Sequence, residues 1–217
     1  GYVGLPLACI FSSQGHDVIG FDTNKKLVDS INNKAFKTEE PNLKNLLRKS
    51  FENNFKAFAE PHKADIYIIC VPTPLKGNKK PDTTYVKSAA NSICKLLKPG
   101  DLIIIESTIP VGTTEEVKEL ILSNNTNLRE NDLNFCHCPE RVLPGNAIGE
   151  IIENNRIIGG LTDLATNLSA DLYASICKGK IIRTSAKKAE LVKLSENTYR
   201  DINIAYANEL SMICGRH

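Results

Sequence analysis

Three groups of residues in this sequence have the types and spacing to do chemistry. The first is Gly1-Tyr2-Val3-Gly4, which opens onto an apolar helical run. Its two glycines match the last two of a G-x-G-x-x-G fingerprint, whose first glycine would stand two residues before Gly1. Such glycines let the backbone approach a pyrophosphate, and the helix N-terminus offers N–H donors and the positive end of its dipole. Asp22 closes the next strand-like run, 18 residues after Gly4. An acid there accepts hydrogen bonds from the adenosine ribose of NAD and repels the extra phosphate of NADP. Lys25 and Lys26 keep NADP as the lesser alternative. The second group is a pair of loops, 71–74 (Val-Pro-Thr-Pro) and 106–114 (ESTIPVGTT), each following an apolar strand-like run. Open α/β sheets bind ligands at such carboxyl ends. There the prolines stiffen the loop, hydroxyls and N–H groups face a crevice, and Thr113 or Thr114 caps the helix that follows. Taken alone, each loop reads equally as a turn with a helix cap. The third group is Lys193, Asn197 and Arg200, spaced i, i+4, i+7 and so on one face of a helix. On spacing alone the plain reading prevails: Lys193 a solvated lysine, Glu140 an exposed loop acid, and Arg141 the salt-bridge partner of Glu140.

The elements that must position these groups follow from periodicity. Helical runs are expected over 5–14, 25–32, 42–52, 83–97, 113–123 and 163–176. Strands are expected over 17–21, 64–71, 102–106, 133–138, 156–160 and 180–183. Strands apolar on both faces, alternating with helices, predict an α/β fold with a doubly wound parallel sheet. From Ala186 to Cys214 the helical spacing of Leu191, Leu194, Ile202, Ala205 and Leu210 runs longer than any before it. Two units are therefore expected: a dinucleotide-binding domain over 1–184 lacking its first strand, and the start of a central helical domain over 185–217. The abrupt ends suggest a fragment cut on both sides.

Composition narrows the function classes. Apolar residues make up 41% of the 217 and charged residues 24%, as in ordinary globular chains. A net charge of +2, from 27 basic and 25 acidic residues, is too small for a dedicated nucleic-acid binder. No apolar run approaches the ~20 residues of a membrane helix. Seven cysteines, an odd number, with several inside apolar runs, read as reduced thiols of a cytoplasmic protein. Cys136 and Cys138 are too few for zinc, so no metal is expected.

The chain resembles a known family. GYVGLPLA, the acid at Asp22, VPTP, ESTIPVGTT, HCPERVLPG, RIIGG and AELVKLSENTYRDINIAYANEL appear in order and span nearly the whole sequence. Together they are similar to the nucleotide-sugar 6-dehydrogenases, the UDP-glucose/UDP-mannose dehydrogenase superfamily. The residues 138–145 (CPERVLPG) and the pattern Lys193, Asn197, Arg200, Asp201 look most like members acting on UDP-N-acetyl-D-mannosamine. Members acting on UDP-GlcNAc or UDP-glucose are the alternatives, and a non-catalytic nucleotide-binding module is another. The resemblance implies a Rossmann-like fold, NAD as cofactor, a UDP-sugar as substrate, and a homodimer in the full-length form. It implies oxidation of the sugar's primary alcohol to a carboxylate in two steps, serving surface-polysaccharide precursors. In the family a cysteine in a G-G-H-C-type loop traps the aldehyde, and none of the seven cysteines here has that setting. Glu140 would then be the acid/base of the water step, Lys193 the oxyanion stabiliser, and Asn197 would orient water or substrate. Arg141, Val142 and Arg200, with Lys193 and Asn197, would contact the nucleotide-sugar. Gly1, Tyr2, Val3, Gly4, Asp22, Thr73, Thr108 and Thr114 would hold the cofactor.

Overall fold

A computed structural model describes residues 2–40, 42–53, 55–77, 79–142 and 145–216. Gly1 lies outside the described residues, as do positions 143–144 of the CPERVLPG motif. Among the described residues, strands and helices alternate. The order is α1 (Gly4–Ser13), β1 (Ile19–Phe21), α2 (Lys25–Asn32), α3 (Leu43–Glu52), β2 (Lys56–Phe58) and β3 (Ile66–Ile69). Then come α4 (Thr84–Ile93), β4 (Leu102–Ile105), α5 (Thr113–Asn124), β5 (Asn134–His137) and α6 (Ala147–Glu153). β6 (Arg156–Gly160), α7 (Asp163–Ala174), β7 (Ile181–Ser185) and α8 (Ala186–Cys214) complete the chain.

β4 shows why the sheet forms. Leu102-Ile103-Ile104-Ile105 are all buried. Successive side chains of a strand point to opposite faces. Ile103 and Ile105 therefore pack with Val86 and Ala90 of α4 and Val117 and Ile121 of α5. Leu102 and Ile104 pack with Leu7, Ile10 and Phe11 of α1 and Ala170 and Tyr173 of α7. A strand covered on both faces has no need of alternating polarity. β3, β4 and β5 pair in parallel, in the order β3-β4-β5-β6-β7. β1 and β2 form a separate parallel pair with its own small core around Phe55, Ala57, Val28 and Leu47.

The all-parallel expectation fails at one step. β6 runs antiparallel to β5, pairing Cys136 with Gly160 and His137 with Gly159. α6 between them has seven residues and spans about 10 Å. The chain thus re-enters the sheet from the carboxyl end of β5 and continues parallel into β7. In β6 glycine is required: a Cβ on Gly159 would collide with the Ser185 carbonyl at the end of β7. Two elements that periodicity did not indicate are β2, three residues long, and α6. α8 has 29 residues, of which Ala186, Ala189, Glu190 and Lys193 are buried, and its later turns are exposed.

Candidate functional site

The turn before α1 brings Tyr2, Val3 and Gly4 to the carboxyl end of β3. A Cβ on Gly4 would come 3.3 Å from Cys70 Cβ, so a larger residue would press the turn away from the strand. The N-cap of α1, Val3, makes no side-chain capping bond, which leaves the first-turn N–H groups to an outside acceptor. Asp22 follows β1 and accepts from the N–H of Asn24 at 2.9 Å. Thr73 and Thr108 are half-buried in the two loops. Those loops are zipped together by Ser107, whose Oγ accepts from the N–H of Val71 at 2.9 Å and donates to the Val71 carbonyl at 2.8 Å. An uncapped helix start, a close glycine turn and an acid at the end of β1 fit a dinucleotide whose pyrophosphate sits at α1. Tyr2 does something further: its hydroxyl accepts from the N–H of Gly145, 3.1 Å away, beyond β5.

The other side of the site hangs on α8. Lys193 is 7% exposed. Its ammonium donates to the backbone carbonyl of Glu140 and lies 3.8 Å from that residue's Oε2. The Glu140 carboxylate in turn accepts from the N–H of Val142. Arg141 does not pair with Glu140. Its Nε donates to Glu196 Oε2 at 2.9 Å, its Nη2 donates to Oε1, and its Nη1 donates to the Asn155 carbonyl at 3.0 Å. A cavity of about 530 Å³ opens between the loop and the helix, lined by Arg141, Lys193, Glu196, Tyr199, Arg200 and residues further along α8. Lys193 and Arg200 share this cavity. Asn197 is exposed and is not among its lining residues. At 100° per residue, i+4 lies 40° to one side of Lys193 and i+7 lies 20° to the other. Thr114, which the resemblance implies beside the cofactor, is buried, and its hydroxyl donates to Glu190 Oε1 at 2.6 Å.

Beneath both loops lies a polar cluster that the sequence reading did not anticipate. Glu106, at the end of β4, is buried. Its Oε1 accepts from Arg156 Nη1 at 2.8 Å and from the Tyr173 hydroxyl at 2.6 Å. The Arg156 guanidinium lies 4.8 Å from the centre of the Tyr173 ring. Burial raises the Tyr173 hydroxyl well above its usual range, so it stays protonated and donates. The thiols nearby are inert: burial pushes Cys136 and Cys138 up to about 12. None of the seven cysteines lines the cavity. His137, fully buried, has both ring nitrogens without a hydrogen-bond partner, and burial holds it down at about 4.

Comparisons with known proteins identify the family. Residues 1–177 match the model for the NAD-binding domain of the UDP-glucose/GDP-mannose dehydrogenase family, and residues 187–217 match its central domain. The chain belongs to that family. It is 44% identical, over 99% of its length, to a UDP-N-acetyl-D-mannosamine dehydrogenase of Escherichia coli, covering 53% of that protein. It is also 44% identical to an NDP-N-acetyl-D-galactosaminuronic acid dehydrogenase of Ralstonia nicotianae, covering 99% of this chain and 52% of the other. A UDP-D-ManNAc dehydrogenase structure from Pyrococcus horikoshii superposes with a TM-score of 0.94 at 42% identity, over 98% of this chain and 52% of that one. The chain spans about half the length of the curated relatives it matches. Its NAD-binding domain has a Rossmann-like fold with NAD as cofactor. No helix among the described residues is long and apolar enough to cross a membrane.

Proposed function

We propose that the chain is the cofactor half of a nucleotide-sugar 6-dehydrogenase that oxidises UDP-N-acetyl-D-mannosamine to the uronate in two NAD-dependent steps. Residues 1–184 would form the dinucleotide domain and 185–217 the start of the central helix. The observation that carries this reading is the meeting of Lys193 with Glu140 beside the cofactor loops, in a chain 44% identical to a UDP-N-acetyl-D-mannosamine dehydrogenase.

NAD, when bound, accepts the hydride. The chain's own residues do the rest. The uncapped start of α1 and the turn 2–4 hold the pyrophosphate, and Asp22 reads the ribose. Lys193, desolvated and fixed, places a positive charge where an oxygen gains negative charge, the kind of preorganised charge that stabilises an oxyanion. Glu140, with one oxygen on Val142 N–H and the other near Lys193, is oriented to take or give a proton. Arg141, Arg200 and Lys193 give the cavity a surplus of positive charge over Glu196, which suits a diphosphate. Asn197, exposed beside Lys193, is available to substrate from the flank of that cavity. Thr108 lines the loop between the two halves.

The equal identity to an NDP-N-acetyl-D-galactosaminuronic acid dehydrogenase keeps a galacto-configured N-acetyl sugar as the second reading. The exposed apolar side chains of α8, with Tyr199 at 73%, Ile202, Tyr206 and Leu210, support a homodimer through this helix. The free cysteines support a cytoplasmic location. The deciding experiment follows NADH formation by the full-length protein with UDP-N-acetyl-D-mannosamine, UDP-GlcNAc, UDP-N-acetylgalactosamine and UDP-glucose. Turnover of UDP-glucose alone would overturn the reading. The 217 residues alone are expected to give no uronate, because none of the seven cysteines lines the cavity.

A further inference from the structure

Glu190 stands three residues before Lys193 on α8 and is fully buried. The chemistry proposed above does not use it. Three donors converge on its carboxylate. The backbone N–H of Gly112 donates to Oε2 at 2.6 Å. The N–H of Thr114 donates to Oε1 at 2.9 Å, and the Thr114 hydroxyl donates to the same oxygen at 2.6 Å. These donors are the first turn of α5, whose N-cap, Gly112, has a left-handed φ of 95° and no side chain to cap with. A carboxylate supplied by another helix satisfies that turn and complements its dipole.

The consequence lies on α8. Glu190 ties this helix to the loop after β4, and one turn later Lys193 ties it to the loop after β5 through the Glu140 carbonyl. A buried apolar residue at 190 would avoid desolvating a charge but would leave the Gly112 and Thr114 donors unpaired. Beyond satisfying them, the carboxylate adds direction. Bonds from three donors fix the rotation and the axial position of α8, and with them the place of a lysine three residues on.

We infer that Glu190 is the positioning residue of Lys193: its carboxylate, held by the first turn of α5, sets where the ammonium lies relative to Glu140 and to the cavity. The catalytic consequence rests on the role proposed for Lys193. The positioning itself does not, and it can be read on the lysine without substrate.

The experiment measures the rate of reductive methylation of each lysine in this chain by mass spectrometry, with exposed Lys25 and Lys188 as internal references. Glu190→Gln removes the charge and faces an amide N–H against backbone N–H donors. It should raise the Lys193 rate about tenfold, the equivalent of a charge-assisted bond lost, with Lys25 and Lys188 unchanged. Thr114→Val removes only the hydroxyl and should raise it about threefold, while Thr114→Ser, which restores the hydroxyl, should return the wild-type rate. If Glu190→Gln fails to fold, the Val and Ser pair decides alone. A Lys193 rate unchanged in folded Glu190→Gln, or equal in Thr114→Val and Thr114→Ser, would reduce Glu190 to a cap of α5 and sink the inference. Failure of the sugar assay would leave this result standing, and an unchanged labelling rate would leave the sugar assay standing.

Discussion

The two sides of the candidate site are held in different ways. On the dinucleotide side, Asp22 follows the three-residue β1, the turn 2–4 lies at the carboxyl end of β3, and the proposed ligand contacts are the uncapped backbone N–H groups of α1. The α8 side is cross-braced by side chains: Glu190 to α5, Lys193 to the β5 loop, and Glu106 with Arg156 and Tyr173 beneath. A long ligand with its own rigid groups can complete a loosely built cradle. A charge that must meet a transient oxyanion has to be in place beforehand, since reorganisation at that moment raises the barrier.

If that contrast holds, the largest effect of a single change should fall on the brace. Glu106→Ala strips the partner from a buried guanidinium, and breaking such a pair costs about 3–5 kcal/mol. Urea unfolding of this chain should show that loss. A cost below about 1 kcal/mol would mean that water reaches Arg156. Next comes Lys193→Met in the full-length enzyme, which should lower kcat about 10²- to 10³-fold and leave the NAD affinity unchanged. A fall in NAD affinity instead would place Lys193 on the cofactor side and dissolve the contrast.

His137 offers a pH test of how dry the braced side is. Its folded value of about 4 lies below the ordinary 6.5. The neutral form is thus favoured in the folded state. Above 6.5 the group has no effect on stability. As pH falls from 6.5 to 4 the unfolded chain takes up the proton first, and stability drops by about 3 kcal/mol in all. His137→Leu should lose less than the wild type over that window, by about that difference. Parallel curves would mean that the ring finds a partner in solution. On the open side, Asp22→Ala should weaken NAD about tenfold and narrow its margin over NADP, as measured by fluorescence titration. Equal NAD and NADP affinity in the wild type would remove the role given to Asp22.

Sequence reading reached the two sides unequally, for a physical reason. The glycine turn, its helix and Asp22 are adjacent in sequence, because backbone recognition of a pyrophosphate uses local geometry. The β4 run was legible because four isoleucine-type residues buried on both faces leave no other reading. The reversal of β6 was not, since hydrophobic periodicity carries no strand direction. β2 was missed because Lys56-Ala57-Phe58 is too short to show a period. Glu190 looks in sequence like any acid on a charged helix. Its meaning appears only when α5, 76 residues earlier in the chain, is seen to present three donors to it. Asn197 was placed beside Lys193 by a spacing rule that tolerates 40°, and the cavity does not.

The smallest expected effect distinguishes bracing from decoration within the α8 side itself. Arg141 and Glu196 form a two-pronged pair, yet their side chains remain 30% and 33% exposed. Water screens such a pair and competes for its hydrogen bonds, so even with its two-pronged geometry its contribution to stability is expected to be about 1 kcal/mol. The pair therefore cannot be what holds the loop after β5. That work falls to Lys193, 7% exposed at the wall of the cavity, and to the fully buried Glu190 and Glu106. Glu196→Gln should shift the urea midpoint of this chain only slightly, and the shift should vanish in high salt, where exposed pairs are screened. Because the substitution also frees the Arg141 fork for an anion in the cavity, binding of UDP by calorimetry should be equal to or tighter than in the wild type. A loss of several kcal/mol that persists in salt, together with weaker UDP binding, would show that the exposed fork is part of the brace and that the two sides differ less than their burial implies.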